Sequence, residues 1–126
     1  MNIKLAIAAA IALGSLTSAA MAQDAANGEK VFRKCKACHT AEEEKNKVGP
    51  HLVGIIGRKA ASVEGYKYGD GLLAAAEKIG EWDEAKLVEY LADPSAYIGG
   101  KSKMSLKLKK EDERKDVAAY LASLKK

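Results

Sequence analysis

The most reactive side chains of this sequence stand close together, in the string Cys35-Lys36-Ala37-Cys38-His39. On a helical turn, residues three apart share a face, so both sulfurs can reach the two vinyl groups along one edge of a porphyrin. His39 follows at once and can place its imidazole beneath an iron at the porphyrin centre. This C-x-x-C-H spacing is the attachment signature of a c-type haem.

The motif alone leaves three other interpretations open. A thioredoxin-like redox site also uses C-x-x-C, but it expects a βαβ setting, whereas a basic, helical stretch precedes Cys35. A zinc site could combine Cys35, Cys38, His39 and His51, although ligands at adjacent positions 38 and 39 fit a tetrahedral site poorly. A disulfide between the two cysteines would be strained. Haem attachment is the interpretation that the motif favours.

A haem iron held by His39 would take its second axial ligand from elsewhere in the chain. Met104 is the only methionine after residue 22, and it lies in a polar loop at residues 99–105. A methionine there is not typical of a core, so beside a haem signature Met104 becomes the predicted ligand. His51, which follows Pro50, is the rival. His/Met ligation raises the reduction potential of a haem and suits electron transfer.

The first 22 residues have the pattern of a secretory signal peptide. Lys4 precedes the apolar run Leu5–Leu13, and Ala20-Met21-Ala22 is a small-x-small cleavage site. A membrane anchor is the alternative, but a spanning helix needs about 20 apolar residues and the run is shorter. We therefore expect cleavage after Ala22, which removes 22 of 126 residues and leaves 104. After export, two free thiols would not persist, and thioether bonds to a haem would explain them.

Composition limits the remaining possibilities. The chain has 126 residues with 48% hydrophobic and 30% charged side chains, which indicates one globular domain and excludes a disordered chain, a collagen-like repeat or a multi-span membrane protein. No later segment is apolar enough to span a membrane. We expect no nucleic-acid partner, because no helix-turn-helix or RNA-binding motif is present. Only 6% of residues are aromatic, so a domain of this size needs a bulky apolar group to complete its core.

The elements that must position these residues read as helices joined by long loops. A first helix is predicted from a cap at Asp24 to about Lys36, and a glycine-rich irregular region spans residues 41–69. Further helices are predicted over Asp70–Ile79, from a cap at Asp83 to a point before Pro94, and from Lys110 or Glu111 onward. The predicted fold is therefore all-α, with three to five helices and long loops wrapped around one covalently attached haem.

The ordered set of motifs resembles class I c-type cytochromes, particularly bacterial cytochrome c2 and mitochondrial-type cytochrome c. The resemblance covers nearly all of residues 23–126, which is the predicted cytochrome c domain. Its pieces occur in family order: Gly28-x-x-x-Phe32, Cys35-x-x-Cys38-His39-Thr40, Val48-Gly49-Pro50-x-Leu52, Gly57-Arg58-Lys59, Tyr66-x-Tyr68, Trp82, Tyr90-Leu91-x-x-Pro94, Tyr97-Ile98, Lys103-Met104 and Asp116-Val117-x-Ala119-Tyr120-Leu121.

The resemblance implies roles for residues around the haem. The Pro50 carbonyl would accept a hydrogen bond from the His39 ring, and Tyr90 would approach the Met104 sulfur. The side chains near the haem propionates would be Arg58, Tyr68 and Trp82. Gly28 and Phe32 would lie where the first helix crosses the last, against Val117, Tyr120 and Leu121. Many relatives have proline where Gly99 stands, so we expect the loop at 99–105 to be less rigid here.

The function that the resemblance implies is that of a soluble, periplasmic one-electron carrier and not an enzyme. It would hold one haem c with axial ligands His39 and Met104, as a monomer. It would shuttle electrons between membrane complexes, such as a bc1 complex and a photosynthetic reaction centre or terminal oxidase. A haem peroxidase, a gas-binding cytochrome, a thiol oxidoreductase and a subunit of a larger complex remain alternatives.

Basic residues cluster near both parts of the predicted haem site. Residues 23–40 carry 4 basic and 2 acidic side chains, residues 41–100 carry 7 and 11, and residues 101–126 carry 9 and 4. If the two basic ends meet around an exposed haem edge, they would steer the carrier to acidic surfaces of redox complexes. The lysines in question are Lys34, Lys36, Lys101, Lys103, Lys107, Lys109 and Lys110.

Overall fold

The computed structural model describes residues 24–124, so the predicted signal peptide at residues 1–22 lies outside the described residues. Within them the chain forms five α-helices and no strand, apart from an isolated bridge between Lys59 and Glu81. The helices are α1 Ala25–Val31, α2 Asp70–Ile79, α3 Glu84–Ala92, α4 Pro94–Ile98 and α5 Glu111–Ser123, and a 3₁₀ turn, Phe32–Lys34, follows α1. The all-α prediction is confirmed.

Aspartates begin three of the helices. The Asp24, Asp83 and Asp93 carboxylates accept hydrogen bonds from backbone N–H groups three residues on, at 3.0, 2.7 and 3.2 Å. Each carboxylate satisfies a donor that the first helical turn leaves free, as predicted for Asp24 and Asp83. The first helix was predicted to reach about Lys36, but its α-helical part ends at Val31 because the chain tightens into the 3₁₀ turn.

The crossing of α1 and α5 requires a glycine. An ideal Cβ built on Gly28 would lie 1.9 Å from the Asp116 carbonyl oxygen and 2.8 Å from the Tyr120 Cβ. The close approach brings the Phe32 and Tyr120 rings to a centroid distance of 5.6 Å, and it buries Val117 to 1% exposure. The arrangement that the family resemblance implied for these helices is therefore present.

The segment between the 3₁₀ turn and α2 has no helix, and backbone hydrogen bonds tie it to the stretch after α2. Gly57 N–H donates to the Trp82 carbonyl at 2.6 Å, and Trp82 N–H donates to the Arg58 carbonyl at 2.9 Å. These bonds hold Trp82 inside the core, where it is 5% exposed. Among the helices of residues 24–124, none combines the length and apolar character needed to cross a bilayer.

Candidate functional site

One cavity of about 430 Å³ collects every residue that the sequence singled out as a haem contact. Its volume lies in the range of about 300–1,000 Å³ that is usual for small-molecule and cofactor sites. Most of its remaining wall is aliphatic or aromatic, supplied by α2, α3, α5, the 3₁₀ turn and the loops before and after α2. The predicted residues that line it are Cys35, Cys38, His39, Pro50, Arg58, Tyr68, Trp82, Tyr90 and Met104.

The two cysteines stand on a turn that follows the 3₁₀ segment. Cys38 N–H and His39 N–H both donate to the Cys35 carbonyl, at 3.1 and 2.9 Å. Burial, reinforced by the neighbouring Cys38, raises the pKa of the Cys35 thiol to about 11. Catalytic C-x-x-C cysteines depend on a lowered pKa that supplies the thiolate. This turn therefore does not favour thiol–disulfide chemistry.

His39 is oriented by the loop that follows it. Its Nδ1 lies 2.7 Å from the Pro50 carbonyl oxygen, which can only accept, so Nδ1 carries the proton and Nε2 has a free lone pair. Burial lowers the pKa of His39, opposed by the hydrogen bond to Pro50. A neutral imidazole that donates a hydrogen bond through Nδ1 can bind a metal through Nε2, and this is the form in which histidine binds metals.

Met104 is half-buried beside a tyrosine. The Tyr90 hydroxyl lies 3.7 Å from the Met104 sulfur, and the Met104 N–H donates to the Ser102 hydroxyl at 3.0 Å. Burial raises the pKa of Tyr90, so its phenol keeps its proton. The rings of Tyr90 and Trp82 are in contact, with centroids 5.1 Å apart. This part of the cavity is apolar, with one hydroxyl beside one thioether.

Arg58 has a buried nitrogen with no acceptor. Its Nη1 donates to the carbonyls of His51 and Val53, at 2.9 and 3.1 Å. Its Nε is buried and has no hydrogen-bond partner among residues 24–124. Tyr68 is also buried, and its hydroxyl accepts from the Val63 N–H at 2.9 Å. Buried charged donors are normally paired, so this corner of the cavity suits an anionic group.

His51, the rival ligand, is not part of this cavity. It lines a separate polar cleft with Asn46 and Ser62, and its Nδ1 accepts from the Val53 N–H at 3.2 Å. Within the described part of the chain, no three histidine, cysteine or acidic side chains come together as a metal site would require. The structure therefore gives no support to the four-ligand zinc interpretation.

The predicted docking lysines are all exposed, but their surroundings differ. Three of them, Lys34, Lys101 and Lys103, line the cavity. Lys34 forms an ion pair with Glu113 at 2.9 Å, and Lys107 forms one with Asp93 at 3.5 Å. The other docking lysines are Lys36, Lys109 and Lys110.

Sequence reasoning did not assign the apolar lining of the cavity. Its members lie partly on the apolar faces of α2, α3 and α5 and partly in the irregular segment before α2, and neither pattern indicates what they surround. They include Leu52, Ile55, Leu72, Leu87, Val117 and Leu121.

Comparison with known proteins shows the family to which this chain belongs. The family model for cytochrome c matches residues 25–125. The chain belongs to the cytochrome c family. It is 46% identical to a cytochrome c-550 of Paracoccus versutus, over 94% of this chain and 88% of the relative, and 46% identical to a cytochrome c2 of Rhodopseudomonas palustris, over 82% and 100%. The solved structure of a cytochrome c2 from Rhodospirillum centenum matches with a TM-score of 0.77 and 39% identity, over 82% and 99% of the two chains.

Membership assigns this cytochrome to the class I, c2-type proteins, as the resemblance predicted. Proteins of this kind carry one covalently bound haem c, and they transfer electrons without acting as enzymes. The cavity fits that cofactor. It offers two thiols and a neutral imidazole, an apolar lining and a buried cationic nitrogen that needs an acceptor.

A substitution at Gly49 tests how closely the cytochrome positions its histidine. An ideal Cβ on Gly49 would lie 2.2 Å from His39 Cε1 and 2.7 Å from Nδ1. In Gly49→Ala the ring must leave the Pro50 carbonyl, and loss of such a supporting bond weakens metal binding about 10–100-fold. We expect a smaller fraction of low-spin haem protein in its optical spectrum. The exposed residue Lys45, four positions away and outside the cavity lining, provides the control as Lys45→Ala, and equal spectra for the two variants would contradict the predicted displacement.

Proposed function

We propose that this protein is a soluble periplasmic carrier of single electrons. Its haem c would be attached through Cys35 and Cys38, with His39 and Met104 as axial ligands. The observation that carries the proposal is the presence of these four side chains around one apolar cavity. Haem c, when bound, supplies an iron that cycles between the ferrous and ferric states.

The surrounding residues support this ligand set. The Pro50 carbonyl fixes the tautomer of His39 and leaves Nε2 free to bind a metal. The Tyr90 hydroxyl lies beside the sulfur of Met104 and can hold it in one orientation. Arg58, with its unpaired Nε, is proposed to neutralise a haem propionate near Tyr68 and Trp82. Each of these contacts restrains a group at the cavity before any electron moves.

This set of ligands and neighbouring residues would allow electron transfer without any chemical change of a substrate. With His39 and Met104 both holding the iron, no coordination site would be open to oxygen or peroxide. Side chains that keep the same contacts in both redox states leave little structure to reorganise. The low dielectric of the apolar wall favours the less charged ferrous form, and His/Met ligation raises the potential in the same direction.

Export and removal of residues 1–22 are part of the proposal. The cytochrome c-550 relative aligns over 94% of this chain, which includes part of the leader region, whereas the solved cytochrome c2 aligns over 82%. That share of 126 residues is about 103, close to the 104 that cleavage after Ala22 would leave. A mature domain of that length is what removal of the leader would leave, and the proposed periplasmic location follows from the signal-peptide pattern of residues 1–22.

The partners are proposed to be membrane redox complexes with acidic docking surfaces, such as a bc1 complex and a reaction centre or oxidase, which the carrier meets as a monomer. The docking surface would be formed by Lys34, Lys36, Lys101, Lys103, Lys107, Lys109 and Lys110. Lys34 and Lys107 have acidic neighbours in the free protein, so they contribute less to the field that a partner meets.

The docking proposal predicts a charge-dependent rate. Lys36→Glu/Lys101→Glu should lower the second-order rate of electron transfer to an acidic redox partner about tenfold or more at low ionic strength, because the attraction becomes repulsion. Stopped-flow mixing at several salt concentrations measures it, and the difference should shrink as salt rises. Lys59→Glu/Lys78→Glu makes the same charge change at exposed residues away from the cavity. Equal slowing of both double variants would mean that only net charge matters.

A further inference from the structure

The loop that carries Met104, residues 99–105, begins at the C-cap of α4, where Gly99 N–H and Gly100 N–H donate to the Ala96 and Ser95 carbonyls at 3.3 and 3.2 Å. Gly99 has a φ of +68°, which glycine adopts freely, and Gly100 follows it. Two consecutive glycines leave the backbone more alternatives than a proline would. A loop that must keep a thioether on an iron therefore needs attachment from outside.

Two contacts with other segments hold the residues just before the methionine ligand. Ser102 N–H donates to the Ser95 hydroxyl of α4 at 3.0 Å. Immediately before Met104 in sequence, the Lys103 ammonium donates to the Lys67 carbonyl at 2.9 Å, across a sequence separation of 36 residues. The second contact joins the Met104 loop to the irregular segment that precedes α2.

Both the stem and the ammonium of the Lys103 side chain contact neighbouring residues, although the residue is exposed. Its ammonium lies 5.3 Å from the centroid of the Tyr66 ring, within reach of a cation–π interaction. Its Cγ and Cδ run past Gly69, where an ideal Cβ would lie 2.9 and 3.0 Å from them. Tyr66 is itself fixed, because its hydroxyl donates to the Val48 carbonyl at 3.0 Å.

We propose that Lys103 is a positioning residue that fastens the Met104 loop to the segment 66–69 and so retains the Met104 sulfur on the haem iron. Its ammonium already has a carbonyl and a ring as partners, so of the proposed docking lysines it is the one whose side chain would also retain the ligand. The inference rests on the proposed axial role of Met104. It differs from the docking proposal in what it predicts for a protein with no partner present.

Competition by imidazole tests the proposal on the purified haem protein. An imidazole nitrogen that replaces the Met104 sulfur on the ferric iron abolishes the far-red sulfur–iron band, so titration gives an apparent affinity. We expect Lys103→Ala to bind imidazole about tenfold more tightly than the parent protein, with little change in the denaturant midpoint of global unfolding. Lys67→Ala is the matched control, since it removes a neighbouring lysine side chain but keeps the carbonyl that Lys103 uses, and it should stay within about twofold.

A second variant reaches the same contact from the other side. Gly69→Ala keeps Lys103, and its backbone angles of −70° and 153° suit alanine, but the new Cβ displaces the lysine stem. It should also bind imidazole more tightly. Unchanged affinity in Lys103→Ala and Gly69→Ala, with the sulfur–iron band present in the parent, would overturn the fastening role alone. Absence of that band from the parent would contradict ligation by Met104 as well.

Discussion

Replacing Gly28 with alanine is expected to destabilise the folded protein by about 3 kcal/mol, which is a large effect for one added methyl group. The new Cβ would stand 1.9 Å from the Asp116 carbonyl oxygen, and a helix backbone cannot yield as a flexible side chain can. The α1–α5 crossing must therefore open and loosen the Phe32–Tyr120 contact. Denaturant unfolding, followed by far-UV circular dichroism on the haem protein, measures the loss.

The sign of the change in unfolding free energy distinguishes the effect of packing from the effect of helix propensity. On an open helix surface, glycine to alanine stabilises by roughly 1 kcal/mol, so propensity alone predicts the opposite result. Glu29→Ala, at the exposed next position of α1, is the control and should shift the free energy of unfolding by no more than about 0.5 kcal/mol. A Gly28→Ala protein as stable as the parent would show that the helices do not cross as closely as described.

Replacing Met104 with alanine is expected to have the largest effect on redox behaviour. If its thioether is the sixth ligand, the far-red band of a sulfur–ferric iron bond should vanish in Met104→Ala. The reduction potential should fall on the order of 0.1 V or more, within the span of about 0.8 V that axial ligands cover. The ferrous variant should also bind carbon monoxide, because one coordination position becomes open. Optical spectra and a redox titration measure these changes.

The rival histidine supplies the control for that experiment. His51 lines a different cleft, so His51→Ala should retain both the sulfur–iron band and the reduction potential of the parent protein. Loss of the band in His51→Ala, with an unchanged Met104→Ala spectrum, would reverse the ligand assignment.

Local sequence signals predicted the helices that have clear start and stop residues. The bounds of α2, Asp70–Ile79, were predicted to the residue, because Gly69 and Gly80 flank an unbroken amphipathic run. The start of α5 was predicted at Lys110 or Glu111, and the helix begins at Glu111. The one-turn helix α4 was not, since five residues are too few to show periodicity. Its signal was the pair Asp93-Pro94, an N-cap followed by a proline at the first helical position.

In the candidate site, too, residues close together in sequence were predictable, and contacts between distant segments were not. Cys35, Cys38 and His39 are adjacent in sequence, so one motif was enough to find them. Contacts between distant segments left no such pattern. The hydrogen bond from Lys103 to the Lys67 carbonyl depends on how two loops meet, and loop geometry does not follow from composition. For that reason the sequence indicated only a docking role for Lys103. The contact of its side chain with Gly69 became visible only in the structure.

The central claim is that the protein carries one electron on a haem c whose iron has two protein ligands. Spectra of the purified mature protein during a redox titration test it most directly. We predict low-spin c-type spectra in both oxidation states, a single one-electron step, a far-red sulfur–iron band in the ferric form and no spectral change when carbon monoxide is added to the ferrous form. A high-spin spectrum that shifts on adding carbon monoxide would mean an open iron. That result would contradict the carrier account and favour a gas-binding or peroxidase function.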